Sequence, residues 1–113
     1  MGTDIIARLL PVAMLACLSH AASAAEAECM FQMAGKDVVV GACTASDKDP
    51  TGSVLIESPD GSIAARIEST GGGVGKAFWN EGVKGQPAEK LVGPVVQLGA
   101  CWSSDKIKLC VTR

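Results

Sequence analysis

From residue 25 onward, apolar and polar positions alternate over short runs, and Gly, Pro, Asp or Ser interrupts each run after a few residues. A period of two sends every second side chain to one face of a strand, so the pattern predicts half-buried β-strands. The plainest case is residues 53–58 and 62–68 flanking Pro59-Asp60-Gly61. Asp-Gly suits a two-residue type I′ turn. That register sets Val54 opposite Ile67 and Ile56 opposite Ala65, with Glu57 and Arg66 on the other face. Strand 28–33 is expected to pair with 37–43 around Gly35-Lys36-Asp37. Further strands are expected at 76–80, with Phe78 as a core candidate, and at 94–102. Residues 98–103 should pair with 107–112 around Asp105-Lys106, turning Trp102 and Leu109, and Ala100 and Val111, inward and Lys106 and Lys108 outward. No window after residue 24 sustains the three- and four-residue spacing of an amphipathic helix. The expected fold is all-β, a small antiparallel barrel or sandwich of about 7–8 strands.

The first residues break this pattern. Arg8 precedes an apolar run at 9–18, a small-residue stretch follows at 19–25, and Ala22-Ser23-Ala24 fits a signal-peptidase site. The run is about half the roughly 20 residues that a membrane-spanning helix needs. Residues 1–24 are therefore expected to form a cleaved signal peptide and 25–113 a single all-β domain, periplasmic or secreted. Met14-Leu15-Ala16-Cys17 loosely resembles a lipobox, and lipidation of Cys17 is the one route by which this reading would attach the chain to a membrane.

Export changes the meaning of the cysteines. Cys29, Cys43, Cys101 and Cys110 follow the signal, and an oxidising compartment lets them staple a domain whose only aromatics are Phe31, Phe78, Trp79 and Trp102. Three connectivities are open to four cysteines. The hairpin registers set Cys29 opposite Cys43 and Cys101 opposite Cys110, so two local bridges are favoured, each worth about 2–4 kcal/mol. Zinc is disfavoured, because no C-x-x-C pair exists and the single histidine, His20, lies in the signal.

Other chemistry is excluded in turn. Gly71-Gly72-Gly73-Val74-Gly75-Lys76 misplaces the first glycine of a phosphate loop, and Ala77 stands where Ser or Thr would hold magnesium. Asp47, Asp49, Thr51 and Gly52 echo the opening of a calcium loop, but Pro50 interrupts it and Ser58 replaces the closing glutamate. Without an imidazole, Ser or Cys has no base near neutral pH. Glu57, Glu68, Glu81 and Glu89 are not converged into a glycosidase pair by any feature of the sequence. The chain is read as no enzyme, with no cofactor and no metal. A net charge of −2 with dispersed lysines argues against nucleic-acid binding.

Binding to a protein remains, and residues 69–90 are the candidate surface. They hold six glycines and Lys76, Lys84 and Lys90 around one aromatic strand, a composition suited to protruding loops. Lys84-Gly85-Gln86-Pro87-Ala88, following Trp79, resembles the Trp and Lys-Gly-x-x-Ala element of bacterial periplasmic or membrane-bound inhibitors of C-type lysozyme. Ser69-Thr70-Gly71 is a looser counterpart of the Ser-Gly loop in that family. The usual tyrosine after that loop is absent, and Glu81-Gly82-Val83 is inserted before Lys84. The end of the chain, Gly99-Ala100-Cys101-Trp102 followed by Cys110, is similar to small uncharacterised periplasmic proteins of α-proteobacteria. The resemblance implies a disulfide-stabilised barrel that blocks a muramidase cleft, with Lys84 and Gly85 leading, Lys76 in reserve and Ser69 donating a hydrogen bond to the enzyme's carboxylates. Two other classes fit the composition: a secreted host-interaction or virulence effector, and a structural envelope protein.

Overall fold

The computed structural model describes residues 24–113, and in it the alternation resolves into eight strands. They are β1 (Ala25–Met33), β2 (Lys36–Asp47), β3 (Val54–Glu57), β4 (Ala64–Gly71), β5 (Val74–Trp79), β6 (Lys90–Leu98), β7 (Cys101–Ser103) and β8 (Ile107–Thr112). Each pairs antiparallel with the next and β8 returns to β1, giving a closed barrel in sequence order. The expected signal segment, Cys17 included, lies outside the described residues apart from Ala24.

Every second residue builds the interior. Ala27, Cys29 and Phe31 of β1, Val54 and Ile56 of β3, Ala65 and Ile67 of β4, and Ile107 and Leu109 of β8 are buried. Phe31, Ile56, Ile67 and Leu109 are the largest fully buried side chains, and each contributes about 1.5–3 kcal/mol by leaving water. Small residues fill the narrow parts. A Cβ added at Gly75 would sit 2.7 Å from the Glu68 carbonyl oxygen, so glycine lets β4 and β5 approach. Phe78 does not enter this core. β5 alternates without a break, with Gly75, Ala77 and Trp79 on the inner face, so Phe78 faces out and lies half-buried beneath the Arg66 guanidinium, whereas Trp79 packs edge-on against Phe31 at 5.9 Å.

The β3–β4 register is the expected one, with Val54 opposite Ile67 and Ile56 opposite Ala65. Its turn is longer than a two-residue type I′. The Gly61 amide donates to the Ser58 carbonyl and the Ser58 amide to Ile63, so Pro59 and Asp60 form the centre of a four-residue connection. Proline at the first central position favours this turn, and the Asp60 φ is not positive as type I′ requires.

Cys29–Cys43 and Cys101–Cys110 are both bonded. Cys101 lies directly opposite Cys110, and Trp102 opposite Leu109. Cys29, however, faces Gly41, and Cys43 faces Ala27. The reason is a tighter turn than expected. Ala34 and Gly35, with φ of 53° and 79°, make the two-residue connection, and a bulge at Val38 follows. The resulting two-residue slip keeps both cysteines on the inner face, where the bridge spans the pair diagonally with Cα atoms 5.8 Å apart.

Two further expectations need correction. Residues 94–102 are not one strand: Gly99, at φ 63°, and Ala100 turn β6 into β7, which leaves Ala100 exposed. Residues 69–90 are mostly hairpin, since β4 runs to Gly71 and β5 begins at Val74, so only 80–89 is a loop.

Up-and-down order sends successive connections to opposite ends. The turns at 34–35, 58–63, 80–89 and 104–106 share one end, and those at 48–53, 72–73 and 99–100 share the other with the chain termini of the barrel. The β2–β3 and β6–β7 ladders have only four and three residue pairs, all near the second end. Toward the first end, those two seams therefore part.

Candidate functional site

The 80–89 loop is the longest connection of the barrel, and its shape is dictated at its two feet. Asn80 is 4 % exposed and uses all of its amide group. Its Oδ1 accepts from the amides of Ala64 at 3.1 Å and Gly82 at 3.0 Å, and its Nδ2 donates to the carbonyls of Ser62 and Val83, each at 3.0 Å. At the other foot Ala88 is buried, and its carbonyl accepts from Arg66 Nε at 2.9 Å. The same guanidinium covers the Phe78 ring at 3.9 Å and reaches Glu68 at 3.2 Å. Between the feet, the Val83 amide donates to Asn80 and the Gln86 amide to Val83, so consecutive turns fold the loop on itself.

Within Lys84-Gly85-Gln86-Pro87-Ala88, Gly85, Gln86 and Ala88 shape the loop. Gly85 has φ 86°, a conformation that a β-carbon disfavours. Ala88 fits the buried foot. Residues 81–87 are exposed, and Lys84 stands at the tip.

Beside the loop lies the 58–63 turn. The Asp60 carboxylate accepts from the Ser62 amide, the Ser62 hydroxyl and the Ser58 hydroxyl, which lower its pKa to about 2, and the positive charge of Lys84 adds a smaller pull. The mouth at this end thus presents a cation on one loop and an anion on the next.

Ser69 is not part of this mouth. It lies at the opposite end, 8 % exposed, where its Oγ donates to the Thr51 carbonyl at 2.8 Å and accepts from the Gly71 amide at 3.2 Å. Its amide donates to the Ser53 hydroxyl at 2.8 Å. Ser69 ties the 48–53 loop to β4, and its hydroxyl is already committed. Lys76 is exposed on the barrel wall, paired across strands with Glu68 and Pro94. Lys84 and Gly85 are therefore brought together at one tip, and Lys76 and Ser69 lie away from it.

The residues with calcium-like spacing close on themselves. Asp49 accepts from the Thr51 hydroxyl, the Thr51 amide and the Ser53 amide, and its pKa falls to about 2, chiefly through the Thr51 and Ser53 side chains. Asp47 pairs with both guanidinium nitrogens of Arg113 at 2.7 Å, which lowers its pKa. Among the described residues no group of three or more His, Cys, Asp or Glu side chains is placed to hold a metal ion.

Sequence reasoning missed Asn80 and Arg66, the residues that hold the loop. The partners that tie the loop to the rest of the barrel, Ala64 and Ser62 for Asn80 and Ala88 for Arg66, are 16 to 22 residues away, and only the fold brings them together. Compared with known proteins, the chain matches no family model, no curated protein and no solved structure.

Proposed function

We propose that this protein is an exported inhibitor of a lysozyme-type muramidase that blocks the enzyme's catalytic cleft with its 80–89 loop. One observation carries the reading: Lys84 stands exposed at the tip of a loop pinned at both feet and folded by its own hydrogen bonds. A loop ordered before contact avoids the cost of ordering it on binding. Muramidases cut with two carboxylates in a cleft, and an ammonium inserted there pairs with both. The disulfides are compatible with an extracellular or periplasmic setting. A net charge of −2 is opposite in sign to a cationic lysozyme and assists encounter slightly. Ser69 has no part in the contact, and Lys76 remains the reserve cation on the wall.

The test is turbidity clearing of peptidoglycan by a C-type lysozyme and by a bacterial muramidase, with and without the oxidised protein. Dose-dependent inhibition is expected, weakened at least about tenfold by Lys84→Ala, the loss of roughly one desolvated charge contact. Lys76→Ala should leave it unchanged. No effect on either enzyme refutes the proposal, and undiminished inhibition by Lys84→Ala removes Lys84 from it.

A further inference from the structure

The parted seam beside β6 carries an inference independent of muramidase inhibition. Among the described residues, β6 pairs with β7 only over Val96, Gln97 and Leu98, so residues 90–95 have no strand on that side. A row of backbone donors and acceptors is left there. Pro94 has no N–H and ends the usable edge, leaving residues 90–93. At its foot is a hollow of about 350 Å³ whose apolar lining comes from Met33, Trp79, Leu91 and Val92. Leu91 is 55 % exposed, although it belongs to a strand with a core on its other face.

We propose that this seam docks a short, uncharged, extended segment of a partner protein, which adds as a strand along residues 90–93 and places one apolar side chain in the hollow. The unpaired backbone selects an extended peptide, because only another backbone satisfies alternating N–H and C=O groups. The hollow selects the side chain. Its rim holds two acids, Glu81 and Asp105, and two bases, Lys90 and Lys106, so it complements a segment of no net charge and disfavours an anionic lipid surface or a polyanion. Residues 36–43 of β2, at the other seam, likewise have no β3 partner. That edge opens with Lys36 and Asp37 and is bulged at Val38, the devices by which natural edges are blunted. The β6 edge also opens with a lysine, Lys90, and has a register irregularity at Val92; the exposed Leu91 and the apolar hollow beside it are what mark it as the docking edge.

The probe is the blocked peptide acetyl-Thr-Val-Leu-Val-Thr-amide, titrated into the ¹⁵N-labelled oxidised protein and followed by amide shifts and hydrogen exchange. Binding should move the amides of Leu91, Val92, Gly93, Asp105 and Lys106 and slow exchange in β6. Methylating alternate amide nitrogens of the peptide should weaken it roughly tenfold to hundredfold, the effect of losing two backbone hydrogen bonds. Leu91→Lys, at an exposed position, should weaken it about tenfold while leaving the rest of the spectrum unchanged. Absence of shifts at these residues at about 5 mM peptide, far above any specific affinity, overturns the proposal. Equal binding by the methylated peptide also overturns it, since the hollow then takes a side chain or small molecule without strand addition. Self-association of the protein that protects the β6 amides without peptide overturns it in favour of a second copy.

Discussion

Replacing Asn80 by alanine removes the side chain that joins the 80–89 loop to the barrel. Four hydrogen bonds go with it, to the Ala64 and Gly82 amides and the Ser62 and Val83 carbonyls. The Ala64 bond is buried, and an orphaned donor there costs about 1–3 kcal/mol. The other three are part-buried, where water replaces the lost partner at about 0.5 kcal/mol each. The sum is about 3.5 kcal/mol, which in a domain of this size lowers the melting temperature by about 14–28 °C. Urea unfolding of oxidised wild type and Asn80→Ala at pH 7 measures the loss directly, and unchanged slopes license the comparison. Hydrogen exchange should also accelerate at Val83 and Gln86, because their turn bonds depend on the foot that Asn80 holds. Destabilisation below about 1 kcal/mol, with loop exchange unchanged, would refute the view that Asn80 determines the loop.

Two further outcomes follow from the staples and the carboxylates. Replacing both cysteines of a pair by alanine should cost about 3 kcal/mol for Cys29–Cys43 and about 2.5 kcal/mol for Cys101–Cys110 on loop length alone, with an added loss for the first because its sulfurs fill the core. A difference of only about 0.5 kcal/mol between the two double variants in urea, the part that loop length accounts for, would show that the inner position adds nothing. Asp49 and Asp60 have folded pKa values near 2, below the ordinary 3.8, so the unfolded chain binds more protons across that interval. The stability they contribute is present above about pH 4 and is lost as pH falls through 2. Asp60→Asn should flatten the acid slope of the urea midpoint between pH 4 and 2, and an unaltered slope would show that its hydrogen bonds do not persist in solution.

Alternation carried the β3–β4 register because both strands are regular and nothing interrupts the period of two between Val54 and Ile67. Where the chain is irregular, the reading failed in a physical way. The two-residue turn at Ala34-Gly35 and the one-residue bulge at Val38 together slipped the Cys29–Cys43 register by two residues, an error that preserves inner and outer faces and so leaves the bridge possible. Phe78 is a different case, a misjudged phase on a regular strand: Gly75, Ala77 and Trp79 share the inner face without interruption, so Phe78 points outward. Residues 94–102 read as continuous because their turn consists of Gly99 and Ala100, neither of them polar. Lys84 was legible as an exposed cation beside a glycine. The rigidity of its loop was not, because the bonds by which Arg66 and Asn80 fasten it to the barrel join groups 16 to 22 residues apart.

The separation of Ser69 from Lys84 follows from connectivity. In an up-and-down barrel, successive turns lie at alternate ends. Ser69 lies near the β4–β5 turn and Lys84 on the β5–β6 loop, so β5 stands between them. At about 3.3 Å per residue, its six residues span roughly 20 Å. Groups that far apart do not meet one pair of carboxylates, so the proposal assigns that contact to Lys84 alone. The two ends differ in another respect. The Ser69 end is closed by the Ser53, Thr51 and Ser69 bonds and by the Asp47–Arg113 pair, whereas the Lys84 end is splayed along β2 and β6 and carries the longest loop. Cohesion is concentrated at the Ser69 end, and the loop proposed for recognition lies at the other. Substitution at Ser69 should therefore register as lost stability and substitution at Lys84 as lost binding, even though the sequence places both residues within one glycine-rich stretch.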